Sequence, residues 1–215
     1  MLQYFWELTG FQMLYLQIAS VIGLLLGVFF AAPLHHYTSK RFGVLLGTGA
    51  WAVFQVIPVV CRLLDWFPDN GTGGLVYTLL GVKFVQGLIL QQAFISFGSM
   101  MADITDEHEY ETGDRQEGIF FGAISFSSKA PSGFGHFIGG IGLDIISWPR
   151  GADIETAADI PPDTLVNLGL LYGPVVAAFA VVSVWCYSHY KLTKQRHAEI
   201  LEQLNIRREK AAASS

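Results

Sequence analysis

Residues 100–117 read M-M-A-D-I-T-D-E-H-E-Y-E-T-G-D-R-Q-E, a densely acidic stretch that lies between two long apolar runs. It contains one cation, Arg115, and seven carboxylates: Asp103, Asp106, Glu107, Glu109, Glu111, Asp114 and Glu117. Charge at this density is too costly to place in hydrocarbon. The pattern therefore predicts that the chain leaves a membrane here, forms a charged loop and enters the membrane again.

The composition of the whole chain indicates the same class. Of the 215 residues, 52% are hydrophobic and only 14% are charged, whereas soluble globular chains carry about 25% charged residues. Two cysteines are too few for a disulfide framework. No basic patch interleaved with aromatic residues indicates nucleic-acid binding. We therefore expect an all-α, polytopic helical membrane protein.

Five segments have the length of about 20 mostly apolar residues that a helix needs to cross a bilayer. They are residues 11–33, 42–64, 75–101, 118–148 and 165–190. The sequence thus predicts a transmembrane bundle over residues 1–190, followed by a polar tail over residues 191–215. Glycines four residues apart in four of these spans, such as Gly23/Gly27 and Gly135/Gly139, favour close helix packing.

Lysine and arginine sort the connecting segments onto two sides. Nine of these residues fall on one side, two (Arg62 and Arg150) on the other, and Lys83 and Lys129 lie within spans. By the positive-inside rule, the N-terminus is outside and the C-terminus is cytoplasmic. We therefore expect a multi-pass protein of the plasma (inner) membrane whose acidic loop and tail are both cytoplasmic.

Span 118–148 carries a polar face. On a helix of 3.6 residues per turn, five polar side chains fall within about 100° of one another: Ser125, Ser128, Lys129, Ser132 and His136. Lys129 lies about 16 Å from the acidic loop by helix rise, where a lysine costs at least about 2.5 kcal/mol to insert. The face therefore predicts the lining of a polar cavity. Two alternatives stay open: Lys129 pairs structurally with a buried carboxylate, and His136 is a packing histidine.

Span 75–101 holds the second intramembrane lysine, Lys83. It lies close enough to the outer end to extend its ammonium to the surface, so it is either an anchor or a site residue. Its neighbours Gln86, Gln91 and Gln92 favour a surface that faces water or another helix over one that faces lipid.

Three strings resemble those of a known family. The acidic string M-x-A-D-I-x-D-x-x-E-Y-x-x-x-x-R-x-E resembles the loop between helices ten and eleven of glycoside–pentoside–hexuronide:cation symporters, the melibiose-carrier type of the major facilitator superfamily. The string F-S-S-K at 126–129 is similar to the family's helix eleven, and A-A-P-L-H-H-Y-T-S-K-R-F-G is similar to its basic loop after helix eight. The resemblance implies helices 8–12 of that fold, with a remnant of helix seven near Tyr4.

The resemblance also implies roles for individual residues. Asp103, Asp106 and Arg115, with their neighbours Glu109 and Glu117, would form a charged gate that closes the cytoplasmic side. Lys129 and Ser125 would line the central cavity near substrate and cation, and Phe94 would stack near a sugar. Ile124 and Phe94 depart from the glutamine and tryptophan common in sugar carriers, which weakens the case for a sugar as the solute.

The function hypothesis is the C-terminal portion of a cation-coupled symporter for a sugar, glycoside or related small solute, working by alternating access. Its partners would be the solute, the bilayer, Na⁺ or H⁺ as coupling ion, and an N-terminal transporter half. The alternatives are a free-standing membrane scaffold or assembly protein, and a carrier of another solute such as a lysolipid. No enzyme motif, cofactor motif or metal-ligand spacing is present, so we expect neither catalysis nor a bound metal.

Overall fold

The computed structural model describes residues 1–149, 154 and 156–213, apart from the side chains of residues 32, 35, 36, 132 and 211. Helices and their connections, with no β-strand, make up this part of the chain. They are α1 (Gly10–Tyr37), α2 (Lys40–Leu63), α3 (Gly73–Thr112), α4 (Glu117–Ile145), α5 (Pro162–Leu170), α6 (Val176–Ser188) and α7 (Lys194–Ala213). A π-helical turn, Leu171–Val175, joins α5 to α6 around Pro174.

Hydroxyl side chains begin the first three helices. Thr9 forms a capping box with Gln12 at the start of α1, Ser39 accepts the N–H of Phe42 in α2, and Thr72 accepts the N–H of Leu75 in α3. Such caps satisfy backbone N–H groups that have no partner within the helix. These caps therefore define where α1, α2 and α3 begin.

Four described helices are long and apolar enough to cross a membrane: Gly10–Ala31, Lys40–Leu63, Gly73–Thr112 and the continuous Pro162–Ser188. They confirm the expected all-α, polytopic membrane class. The remaining predicted span, 118–148, coincides largely with α4. The four helices above do not include α4, so its role as a membrane span stays a prediction.

The acidic stretch differs from the expected loop. Helix α3 continues through it to Thr112, and Gly113 ends the helix in the left-handed conformation with φ 83°. Its 40 residues correspond to about 60 Å of helix, twice the hydrocarbon thickness of about 30 Å. Glutamates are good helix formers where water solvates them, so the helix continues beyond the apolar run. We call residues 102–112 the α3 extension.

Helix α3 packs between α1 and α2, and α6 packs against α2. Glycines permit the closest approach: a Cβ on Gly87 would lie 2.0 Å from the carbonyl oxygen of Ser20, and one on Gly23 would lie 2.0 Å from that of Phe84. Gly27 is similarly close to Leu88. The Gly23/Gly27 repeat therefore joins two helices, as its spacing predicted. Gly135 and Gly139 of α4, in contrast, have no described atom within 4 Å of a built Cβ.

Helix α4 stands apart from this packing. Between Ile119 and Ile141, every described side chain is exposed except the half-buried Phe120, Ile124 and Ala130. Contacts occur near its ends, where the His108 and Phe120 rings lie 5.3 Å apart and Leu171 lies against Gly142. The helix thus presents most of its described surface, including Ser125, Lys129 and His136, to the outside of this chain.

Candidate functional site at the charged end

The end of the bundle where α1 ends and α2 begins also contains the α3 extension and α7, and we call it the charged end. The α3 extension presents Asp103, Asp106 and Glu109 at three-residue intervals, so successive carboxylates advance along its surface. Cations from three other segments meet them. We define the charge network as Lys40, Asp103, Asp106, Glu109, Arg115, Glu117, His197 and Arg208.

Asp103 is the buried centre of the charge network, with 6% of its surface exposed. Lys40 Nζ lies 2.7 Å from both of its carboxylate oxygens, and His197 Nε2 lies 3.4 Å from Oδ1. Lys40 is the first residue of α2, where the positive end of the helix dipole disfavours a cation. The carboxylate offsets that repulsion and joins α2, α3 and α7 at one point.

Arg115 connects the outer part of the network. Its guanidinium lies 2.9 Å from Glu109 and 3.5 Å from Asp106, and its Nε donates to Glu117 at 2.7 Å. The hydrogen bond to Glu117 raises the pKa of Arg115 above its ordinary value, and the bond to Glu109 adds to this. The five predicted gate residues are therefore brought into two linked groups. Arg115 pairs with Asp106, Glu109 and Glu117, whereas Asp103 pairs with Lys40.

Helix α7 is held on the α3 extension by charge and by apolar contact. Arg208 lies 2.8 Å and 3.0 Å from the two oxygens of Glu109, and Arg207 donates to the carbonyl oxygen of Tyr110 at 2.8 Å. Ile200 and Leu204 are 0% and 3% exposed. This helix is the part of the site that the sequence prediction of a polar tail missed. The signal was present in the spacing 197, 200 and 204, which places His197, Ile200 and Leu204 along one helical face.

Tyr190 lies between α6 and α7 beside the network. Burial raises its pKa to about 12, with further contributions from the charges of Asp103 and Glu107. Its phenol is therefore neutral at physiological pH and is able to donate a hydrogen bond. The phenol oxygen is buried with no hydrogen-bond partner in the described part of the chain, and Arg41 donates to the Tyr190 carbonyl at 3.5 Å.

The predicted cavity residues lie elsewhere, on the open surface of the bundle. Ser125, Lys129 and His136 are exposed on α4, and Phe94 of α3 is 56% exposed. The side chain of Ser132 lies outside the described residues. Ser128 Oγ donates to the Ser125 carbonyl at 2.9 Å, a bond within the helix. The chain therefore presents these residues without enclosing them, and their cavity role stays a prediction.

A buried polar chain crosses the bundle at the level of Lys83. Lys83 Nζ donates to Gln86 at 2.8 Å, Gln86 donates to Gln55 at 3.1 Å, and Gln55 donates to the carbonyl of Tyr172 in the π-helical turn at 3.2 Å. Lys83 is thus bonded inside the bundle. The sequence pattern indicated Lys83 and Gln86 but not Gln55. The partner of Gln55 is Gln86, which lies 31 residues away in the sequence and on another helix.

No cluster of three or more histidine, cysteine or acidic side chains in the described ranges is arranged to hold a metal ion. Asp103, Asp106 and Glu109 of the α3 extension instead pair with Lys40, Arg115 and Arg208. Because cations already neutralise them, the arrangement supports ion pairing between helices.

Comparison with known proteins places the chain in a family. The model of the MFS/sugar transport protein family matches residues 1–194. The uncharacterized symporter YjmB of Bacillus subtilis is 27% identical over 193 residues, covering 90% of this chain and 39% of the relative. The isoprimeverose transporter of Lactiplantibacillus pentosus is 26% identical over 191 residues, covering 84% of this chain and 36% of the relative.

An uncharacterized symporter of Synechocystis is 26% identical over 144 residues, covering 67% of this chain and 26% of the relative. No solved structure matches the chain at a significant level. The chain therefore spans about two fifths or less of the length of these relatives, which are transporters and not enzymes. It is a multi-pass membrane protein, and it belongs to the MFS/sugar transport protein family of the major facilitator superfamily, as its acidic string and the following lysine predicted.

Proposed function

We propose that this chain is the C-terminal portion of a cation-coupled symporter that moves a sugar, glycoside or related small solute by alternating access. The open polar face of α4 carries the proposal: Ser125, Lys129 and His136 are exposed on a helix of a membrane bundle. An intramembrane lysine is costly against lipid. A facing group of helices would turn this surface into one wall of a polar cavity, as in carriers whose site lies between two halves.

The solute class is proposed from the family and from one relative. The family description names sugar transport, and the isoprimeverose transporter bears the name of a glycoside solute. Phe94, 56% exposed, offers an aromatic face of the kind that packs against a sugar ring. Na⁺ or H⁺ would be the coupling ion, and the facing N-terminal half would supply the remaining walls.

Uptake by the complete carrier in proteoliposomes tests this proposal. Radiolabelled isoprimeverose and a panel of other glycosides would be offered with and without an inward Na⁺ gradient, and separately with a proton gradient. We expect gradient-dependent accumulation of at least one glycoside. Absence of accumulation for every solute and gradient, in vesicles that contain folded carrier, would refute the symporter proposal.

We further propose that the charge network holds the cytoplasmic side closed during part of the transport cycle. Arg115→Gln removes the cation shared by Asp106, Glu109 and Glu117. Exposed pairs contribute about 0–1 kcal/mol each to stability, so the variant should insert normally. It should nevertheless lose most of its uptake, because the gate can no longer close. Arg62→Gln is the matched control, because Arg62 pairs with Asp69 at the opposite end. Equal uptake by the two variants would contradict the gate.

The sidedness of the charged end is part of the same proposal. After replacement of Cys61 and Cys186 by serine, single cysteines at Thr112 and Glu209 should react with a membrane-impermeant maleimide from the cytoplasmic side. A cysteine at Thr72 should react from the other side. Labelling of Thr112 and Thr72 from one side would overturn the topology.

A further inference from the structure

A cavity of about 610 Å³ opens at the charged end, where α1 passes into α2 and where α6 passes into α7. Four cations and one carboxylate are among its lining residues: Lys40, Arg41, Lys191, Lys194 and Asp103. Lys40 is paired with Asp103, and Arg41 and Lys191 give the lining an excess of positive charge over that pair. Tyr190 also lines the cavity, and its phenol oxygen is buried. Such a set of donors fits an anion with several oxygens, such as a phosphate group.

An apolar groove of about 420 Å³ adjoins this cavity. Both are lined by Tyr37 and Thr38, so they meet at the last turn of α1. Beyond that point the lining is almost wholly hydrophobic: Phe30, Pro33 and Leu34 from α1, Leu46 from α2, and Leu88 and Ile89 from α3. These residues belong to the membrane-spanning helices, so the groove runs from the charged end toward the hydrocarbon.

We propose that the two features together bind one anionic phospholipid, with its phosphate in the cationic cavity and an acyl chain in the groove. Charge selects the headgroup, because a choline or ethanolamine cation would be repelled by the excess of lysine and arginine. The adjoining groove selects a lipid over a soluble phosphate, because it offers an acyl chain contact that a soluble anion cannot use. The site is independent of which solute the carrier moves.

Lipid binding to the purified chain tests the proposal by native mass spectrometry from detergent micelles. The probes are dioleoyl phosphatidylglycerol, dioleoyl phosphatidylcholine and inorganic phosphate. Arg41→Gln/Lys191→Gln removes two cations from the cavity. Each juxtamembrane cation attracts an anionic lipid, so the loss of two should weaken the binding of phosphatidylglycerol about 10- to 30-fold. Arg62→Gln/Lys210→Gln changes the net charge equally, away from the cavity, and should bind as the parent does.

Two further variants separate the headgroup from the chain and from misfolding. Arg41→Lys/Lys191→Arg keeps both charges and should retain phosphatidylglycerol binding. If substitution at these positions instead disturbed the fold, this variant would also bind phosphatidylglycerol more weakly. Leu46→Trp fills the groove and should weaken phosphatidylglycerol binding while leaving that of inorganic phosphate unchanged. The proposal fails if the two charge-removing double variants bind alike, or if phosphatidylcholine binds as tightly as phosphatidylglycerol. It also fails if Leu46→Trp has no effect.

Discussion

At the scale of single residues, Asp103 is a buried member of the charge network, and its carboxylate lies 2.7 Å from Lys40 Nζ. In Asp103→Asn the amide keeps the shape but loses the charge. Hydrogen bonds to charged groups contribute about 1.5–3 kcal/mol, so we expect a loss of stability in that range. The midpoint of thermal unfolding in detergent, followed by circular dichroism, measures this loss.

Asp114→Asn is the matched control for Asp103→Asn. Asp114 is exposed at the end of the same acidic stretch, so its substitution should change stability by no more than about 0.5 kcal/mol. A double change, Lys40→Met/Asp103→Leu, should recover part of the loss, because it leaves no buried charge without a partner. Equal destabilisation by Asp103→Asn and Asp114→Asn would show that the buried pair is unimportant.

The members of the network on the acidic stretch were predictable, but most of their partners were not. Charge density pointed to all seven carboxylates and Arg115 of the stretch, and the family resemblance singled out Asp103, Asp106, Glu109, Arg115 and Glu117. Lys40, however, is 63 residues from Asp103, and His197 is 91 residues from Asp106. Such pairs depend on which helix ends come together, and no local pattern carries that information. Arg115 and Glu109, in contrast, are only six residues apart. The end of α3 and the turn that follows it bring them together, so this pair is local.

At the scale of elements, the contact between α1 and α3 depends on glycine. Gly87→Ala would bring a Cβ within 2.0 Å of the Ser20 carbonyl oxygen, so one helix must shift. Overpacking of this kind typically costs about 1–3 kcal/mol. We expect a lower thermal midpoint and less folded protein in a detergent size-exclusion assay.

Gly81→Ala and Gly98→Ala are controls on the same helix, because a Cβ at either position meets no described atom within 4 Å. Alanine is also the better helix former, so these variants should be as stable as the parent or slightly more so. If Gly87→Ala were equally harmless, the close approach of α1 to α3 would be incorrect.

Docking of α7 should depend on its apolar face as well as on its arginines. Leu204 is 3% exposed, whereas Leu201 on the same helix is 37% exposed. Leu204→Ala removes buried side-chain volume at the contact with α3, a change that costs about 2–5 kcal/mol in a well-packed core and less at a peripheral helix. We expect faster amide hydrogen exchange throughout α7.

Leu201→Ala provides the comparison for this prediction. It should leave the exchange of α7 amides unchanged, since its side chain is already partly in water. High salt should weaken docking in both variants, because it screens the exposed pair of Arg208 with Glu109. Equal exchange in the two alanine variants would mean that α7 is held by its charges alone.

The long helices were predictable from apolar length, and the end of α3 was not. An apolar run sets the minimum extent of a transmembrane helix, but acidic residues in water continue it at little cost. The predicted boundary near residue 101 therefore follows the end of the apolar run, whereas the helix itself ends at Gly113. In the same way, the polar composition of residues 191–215 gave no indication that Ile200 and Leu204 are buried where α7 docks.

At the scale of the whole molecule, the spans and the family were predictable, while the site was predictable only as a surface. The helical period places Ser125, Lys129 and His136 on one face, and the structure leaves that face exposed. A cavity requires an opposing wall, and residues within one chain segment cannot specify it. The open α4 is thus the physical reason why the substrate and the coupling ion stay proposals.

Lys129 offers the sharpest test at this scale, because its two interpretations predict different measurements. It is exposed on α4, so Lys129→Ala should change the thermal stability of this chain by no more than about 0.5 kcal/mol. A lysine that paired with a buried carboxylate for structural reasons would instead cost about 3–5 kcal/mol when removed. In the complete carrier, the same variant should abolish gradient-driven uptake with expression unchanged, because the cavity loses its intramembrane cation.

Lys210→Ala, on the exposed end of α7, should retain both stability and uptake. Reduced stability with normal transport per folded carrier would assign Lys129 to structure and remove it from the proposed cavity.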